Sequence, residues 1–286
     1  MATRLEGIEH ELGGLTVKRI LPNRAKKMVG PFIFFDHMGP SSFAAGEGVN
    51  VRPHPHIGLS TLTYLFEGAI LHRDSLGNNL EIEPGDVNWM TAGRGIVHSE
   101  RESFETRANA HALNGLQCWV ALPPRYVELE PSFSHVKKSA LPVYTFEDVM
   151  IRLIVGEAWG MQSPVKTYSP MFYADIVGKA GSEVSVPDPA QETALYPISG
   201  TVQVGEEVYC PGEFVVLSED ETSVRFQECG RVIMLGGDKC EQPPHIFWNF
   251  VAYDRDRIER AKADWKAGKF PSIPGDDYEF IPLPQR

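Results

Sequence analysis

Two short stretches of this chain carry side chains that could do chemistry together. His54-Pro55-His56 opens the first, and His98-Ser99-Glu100 closes the second. In each, two donors stand at i and i+2, and on an extended strand residues two apart point to the same face. Two such strands side by side aim three imidazoles and one carboxylate at a common point. That mixed N/O set suits a divalent first-row transition metal, and the lack of thiolate argues against a structural zinc knot. Four protein ligands around an octahedral ion leave two positions open for substrate or oxygen. A lone His-x-His is weak evidence, because histidines also serve as half-buried hydrogen-bonding groups. The second pair, set at the end of a hairpin series, turns the balance toward metal. Glu100 adds weight, since a carboxylate on a mostly apolar strand is costly unless it is paired or metal-bound.

His37 and His72 are the next candidates, read as residues beside the site or as structural groups. His10, His111, His135 and His245 have no companion donors and read as ordinary histidines. Asp36 follows an apolar strand and is expected to hydrogen-bond near the pocket. No Ser-His-Asp order, P-loop or dinucleotide GxGxxG is present, and Gly93-Arg94-Gly95 lacks the strand-to-helix setting of a phosphate loop.

The elements that must position these residues read as β. Leu15–Leu21 has strand character and stops at Pro22; Phe32-Ile33-Phe34-Phe35 is apolar without alternation, as in a strand buried on both faces. The stretch 38–53, with its glycines and Pro40, reads as loop. Strands follow at Leu59–Phe66, Ala69–His72, Leu80–Glu83, Val87–Met90 and Leu116–Leu122, separated by Glu67-Gly68, Asp74–Asn79 and Pro84-Gly85-Asp86. Short strands at this spacing mean a sandwich or barrel. One clear helix is expected over 254–268, capped by Asp254 or Asp256, with Ile258, Ala261 and Trp265 on one face and Gly268 at its end. The tail from Phe270, rich in proline, is expected to wrap the surface.

An internal repeat is legible. Thr61–Gly68 has a counterpart in Thr193–Gly200, and Pro84-Gly85-Asp86-Val87 has one in Pro211-Gly212-Glu213-Phe214. Carried to the ligands, these matches set Val186 and Asp188 opposite His54 and His56, and Arg225 and Gln227 opposite His98 and Glu100. The expectation is a duplicated domain with one metal site.

With 286 residues, two domains are the better prior. A composition 42% hydrophobic and 23% charged is that of a soluble globular protein. No apolar run approaches the roughly 20 residues that span a bilayer. The N-terminus lacks a signal peptide's apolar core. The four cysteines are scattered without a CxxC, which points to a reducing, cytoplasmic setting. A net charge of -11 disfavours direct binding to nucleic acid or acidic membranes. The one basic cluster, Arg24-Ala25-Lys26-Lys27, reads as a solvated loop.

At these residues the chain resembles the pirins, a branch of the cupin superfamily. The resemblance rests on Gly30-Pro31-Phe32 with Phe35-Asp36, His54-Pro55-His56, Thr63-Tyr64-Leu65 with Glu67-Gly68, Trp89–Ile96 leading to His98, and Gly115-Leu116-Gln117 with Trp119-Val120. It implies an all-β fold of two cupin (jelly-roll) barrels and a short C-terminal helix. The implied domains are 1–135, an N-terminal metal-binding cupin, and 136–286, a cupin-like domain without metal that carries the helix 254–268 and the tail. It also implies metal ligands at His54, His56, His98 and Glu100, with Asp36, His37 and Gln117 near the metal or the substrate. General cupins carry a glutamate four or five residues after the His-x-His, where Ser60 and Thr61 stand here; in pirins the carboxylate comes from the second motif.

The activity implied is that of the pirin-type quercetin 2,3-dioxygenases. One divalent transition metal per chain is expected, Fe(II) foremost, with Ni, Co, Mn, Cu or Zn as alternatives. The reactants would be an aromatic flavonol and O2, with carbon monoxide released and Glu100 as the base. The other implication is a redox-sensitive regulatory protein whose partner is a transcription factor or a metabolic enzyme.

Overall fold

A computed structural model of the chain describes residues 2–285. The chain forms two compact, interleaved units. One comprises 9–19, 34–138 and 242–286; the other comprises 1–8, 20–33 and 139–241. The continuous cut expected at 135/136 is therefore not how contacts divide the chain. The helix and tail, expected with the second domain, belong to the unit of the histidines. The reason is apolar burial: Ile258 and Ala261 of the helix pack with Phe250, Ala252 and Ile57, flanked by Trp265, Phe270 and Leu283.

In the histidine-bearing unit two sheets enclose the site. The larger orders Ser132–Val136, Val87–Thr91, Leu59–Glu67, His111–Ala121, Phe32–Phe43, Leu15–Leu21 and Ile8–Leu12. The smaller orders Asn50–His56, Ile96–Arg101, Ile70–Asp74 and Asn79–Ile82. Asn50–His56 and Ile70–Asp74 pair antiparallel with Ile96–Arg101, and Leu59–Glu67 pairs antiparallel with His111–Ala121 and Val87–Thr91. In the other unit the order Phe214–Val216, Glu192–Ser199, Gly230–Gly237, Met171–Gly178, Val149–Ala158 repeats the core of the larger sheet. Glu183–Ser185, Ser223–Phe226, Val202–Val204 and Glu207–Tyr209 repeat the smaller one strand for strand. Two cupin barrels result, and the repeat seen in two short matches extends over the whole topology.

The stretch 38–53, expected as loop, is mostly strand: one strand runs to Phe43 and the next starts at Asn50. Met38, Phe43, Val49 and Val51 are buried in one apolar cluster, and that tertiary burial overrides the turn-forming residues between them. The helix runs Arg255–Lys266, capped by Asp254, whose side chain accepts from the Asp256 N–H at 3.0 Å. Gly268 takes φ +66° just past its end. A four-residue helix, Phe104–Arg107, follows the second ligand pair and was not anticipated. Among the described residues no helix is long and apolar enough to cross a membrane.

Candidate metal centre

His54 and His56 lie on Asn50–His56, and His98 and Glu100 on the neighbouring Ile96–Arg101, with His98 directly opposite His54. The loop before the second strand allows this approach. Gly93 holds φ +50°, and a Cβ there would stand 2.0 Å from the Leu129 carbonyl oxygen. One ligand atom from each of the three histidines lies within 4.8 Å of the others. The Nε2 atoms of His56 and His98 are 3.1 Å apart. The Nδ1–H of His54 donates to the Arg52 carbonyl at 2.8 Å, which leaves Nε2 as its lone-pair nitrogen. All three rings are buried. Burial pushes the His54 imidazole below its ordinary value, and it pushes His56 and His98 well below theirs, helped by the neighbouring rings. Buried neutral imidazoles that converge are the donor set a transition metal accepts, so these residues suit such an ion.

Glu100 stands beside this cluster rather than within it. Its Oε1 accepts from Gln117 Nε2 at 2.7 Å and from Thr63 Oγ1 at 3.5 Å. Oε2 carries neither bond. Gln117 and Thr63 are cross-strand partners on the larger sheet, so the carboxylate is held from the opposite wall of the barrel. Gln117 was expected near the site and is there; Thr63 was missed, because a threonine in a strand carries no signal of its own.

Asp36 and His37 are placed differently. Arg19 grips Asp36 through two bonds of 2.9 and 2.8 Å and lies over the Phe34 ring at 4.4 Å. Phe34 stacks on Trp119 at 4.0 Å, and Trp119 meets His56 edge-on at 5.0 Å. Asp36 thus reaches the histidines only through three intervening side chains, while burial pushes its carboxyl up against the pull of Arg19. His37, on the opposite face of its strand, pairs with Asn114 at 2.8 Å and is not among the histidine cluster. His72 is closer: its ring centroid is 5.4 Å from that of His98 and it stacks on Phe133 at 4.4 Å. Its Nε2 is committed to Asp74 at 3.0 Å. Trp119 against His56 and Phe133 against His72, both from the larger sheet, supply the aromatic contacts to these rings.

Residues 14–120 match the Pirin family model, and residues 173–271 match that of the Pirin C-terminal cupin domain. The chain belongs to the pirin family. It is 48% identical over 287 aligned residues to a pirin-like protein of Caulobacter vibrioides, covering 96% of each chain. It is 32% identical to the pirin of Homo sapiens, covering 90% of this chain and 88% of that one. Among solved structures it resembles a quercetin 2,3-dioxygenase from Acinetobacter baumannii, with a TM-score of 0.91 and 33% identity over 100% of this chain and 95% of that one.

The second barrel of this pirin corrects the repeat alignment. Thr63 pairs with Gln117 in the first barrel, and Leu195 pairs with Met234 at the same place in the second. On the smaller sheet Val184 faces Val224, while Arg225 faces Glu183 on the exposed side. The inward positions are therefore Val184, Val186, Val224 and Phe226, and not Asp188, Arg225 and Gln227, which are exposed. At Ser223–Phe226 the gap drawn from two short matches slipped the register by one residue, which moves every side chain to the other face; at 184–186 it slipped by two, which kept Val186 inward but replaced Val184 with the exposed Asp188.

Proposed function

We propose that this pirin is a metal-dependent dioxygenase that opens the ring of a flavonol-like aromatic with O2. The observation that carries the reading is the buried three-histidine cluster with a carboxylate, Glu100, held beside it by Gln117. His54, His56 and His98 would hold the ion, and Glu100 would join them by turning Oε2 inward. When bound, the ion, with Fe(II) as the first choice, would supply the Lewis acidity that lowers the pKa of an aromatic hydroxyl. Glu100 then accepts the hydroxyl proton, which requires a carboxylate oxygen within hydrogen-bond reach of the substrate. Gln117 and Thr63 hold the other oxygen, so the base is oriented before the substrate arrives. Trp119 and Phe133 exclude water from the rings they cover, which strengthens every polar interaction inside.

The similarity to the Acinetobacter quercetin 2,3-dioxygenase, extending over the whole chain, supports the substrate class. The test is oxygen uptake and carbon monoxide release on quercetin after reconstitution with Fe(II), Ni(II), Co(II), Mn(II) or Cu(II). Turnover with one of them is the expected result. Full metal occupancy with no turnover on any flavonol rejects the reading and leaves the regulatory role, which a pull-down in both oxidation states then examines.

A further inference from the structure

The two strands that carry the histidines are not in simple register. His98 stands opposite His54, but Glu100 stands opposite Val51, so two residues on one strand span three on the other. The extra residue is a β-bulge at Arg52–Pro53, and bulges re-aim side chains beside a site. Here the bulge carbonyl of Arg52 takes the Nδ1–H of His54, so the bulge also orients that ring.

The C-terminal segment holds this bulge from behind. The Ile281 N–H donates to the Pro53 carbonyl at 2.8 Å. The Ser99 hydroxyl, between His98 and Glu100 and facing away from both, donates to Asp276 Oδ2 at 2.6 Å. Arg101 binds the same carboxylate at 2.8 and 2.7 Å and reaches Glu279 at 3.1 Å. Trp265 of the helix in turn donates to the Ile281 carbonyl at 3.1 Å. Packing shares this holding, since Ile281 lies against the apolar cluster that contains Val49 and Val51. Beside these bonds lies a pocket of about 230 Å³ lined by Pro53, Val97, Phe270, Ile273 and Asp276.

We propose that residues 276–281 form a strap that sets the bulge, and thereby the spacing between His54 and the His98/Glu100 pair, with Asp276 as its positioning residue. The proposal rests on the metal-site reading above. Its consequence is reciprocal: the strap raises metal affinity, and bound metal steadies the strap.

The experiment titrates metal-free protein with Co2+ against a competing chelator, in the parent and in Asp276→Ala, Asp276→Asn and Ser99→Ala. The readouts are the Co2+ dissociation constant, the visible absorption band of bound Co2+, and the Tm of the metal-free protein. Loss of a group that orients metal ligands from outside typically costs about 10–100-fold in affinity. Asp276→Ala should weaken Co2+ binding by at least about tenfold and shift the band, with Asp276→Asn between it and the parent. Ile258→Ala, which opens a hole in the helix packing, should lower Tm while leaving Co2+ affinity and band unchanged. Parental affinity and band in Asp276→Ala with a lowered Tm would show a merely structural role and overturn the strap. If that variant does not fold, Ser99→Ala decides by the same two readouts. A parent that binds no Co2+ overturns the metal-site reading itself, which is a distinct result.

Discussion

The two barrels of this pirin share a strand order and differ in what fills them. In the first, the interior holds His54, His56, His98, Glu100, Gln117 and Thr63, all buried. In the second, the same places hold Val184, Val186, Val224, Phe226, Met234 and Leu195, also buried. One scaffold therefore supports a polar interior in one barrel, where His54, Glu100, Gln117 and Thr63 are hydrogen-bonded, and an apolar one in the other. An unpaired buried polar group costs about 1–3 kcal/mol, and Nδ1 of His56 and of His98, buried without a hydrogen bond, carry that cost in the first interior. A feature outside the interior is kept in both. Arg19 grips Asp36 in one barrel, and Arg231 grips Asp175 at 2.7 Å in the other, with Arg152 3.7 Å away. Arg152 lies on the strand that matches that of Arg19, whereas Arg231 reaches Asp175 from its other neighbour, so the barrels share a buried aspartate–arginine contact on matching strands while their interiors differ.

The comparison breaks most sharply at the ligands. His98→Ala or His56→Ala should abolish metal content and turnover, measured by elemental analysis and oxygen uptake. Metal retained at parental level in either would place the centre elsewhere. Stoichiometry should be one ion per chain, because the second interior offers no donor.

Glu100→Gln sharpens the role of the carboxylate. It keeps the shape but removes a charge and a base, so turnover should fall by about 10²–10⁴-fold while part of the metal stays bound. Parental turnover would show that Glu100 is neither base nor needed ligand.

Leu195→Ala in the second interior should cost about 2–5 kcal/mol in denaturant unfolding, the usual cost of a cavity in a packed core. Co2+ affinity should be unchanged, since that interior contributes packing only. A large loss of affinity would tie the two interiors together.

Between pH 7.5 and 5, acidity should act through the histidines of the first barrel. Burial holds His54, His56 and His98 below the ordinary imidazole value, so as pH falls through about 6.5 the unfolded chain takes up protons that the folded one refuses. The stability of metal-free protein should be full above that pH and fall below it. Tm measured from pH 7.5 to 5 should show this slope, and His98→Ala should flatten it.

The smallest effect is expected at Arg225 and Gln227. Both are exposed, so alanine there should leave metal content and turnover within error of the parent.

The His54/His56 and His98/Glu100 pairs were legible because i, i+2 spacing on a strand is a local property, and so was the helix, whose cap at Asp254 and apolar stripe at Ile258 and Ala261 lie within one short window. The pirin motifs were legible for the same reason. Pairing between strands is not local. The alternation of Val224-Arg225-Phe226-Gln227 marks its own inward face, but only the folded chain decided which of these positions match His98 and Glu100, since the loop lengths that set the match leave no mark on the strand itself. Tertiary structure likewise turned Glu100 toward Gln117 across the barrel, put a bulge opposite Ser99, and brought Asp276 and Ile281 of the tail behind the histidines. Each of these joins residues far apart in sequence, and burial of the whole chain, not the preference of any segment, brings them together.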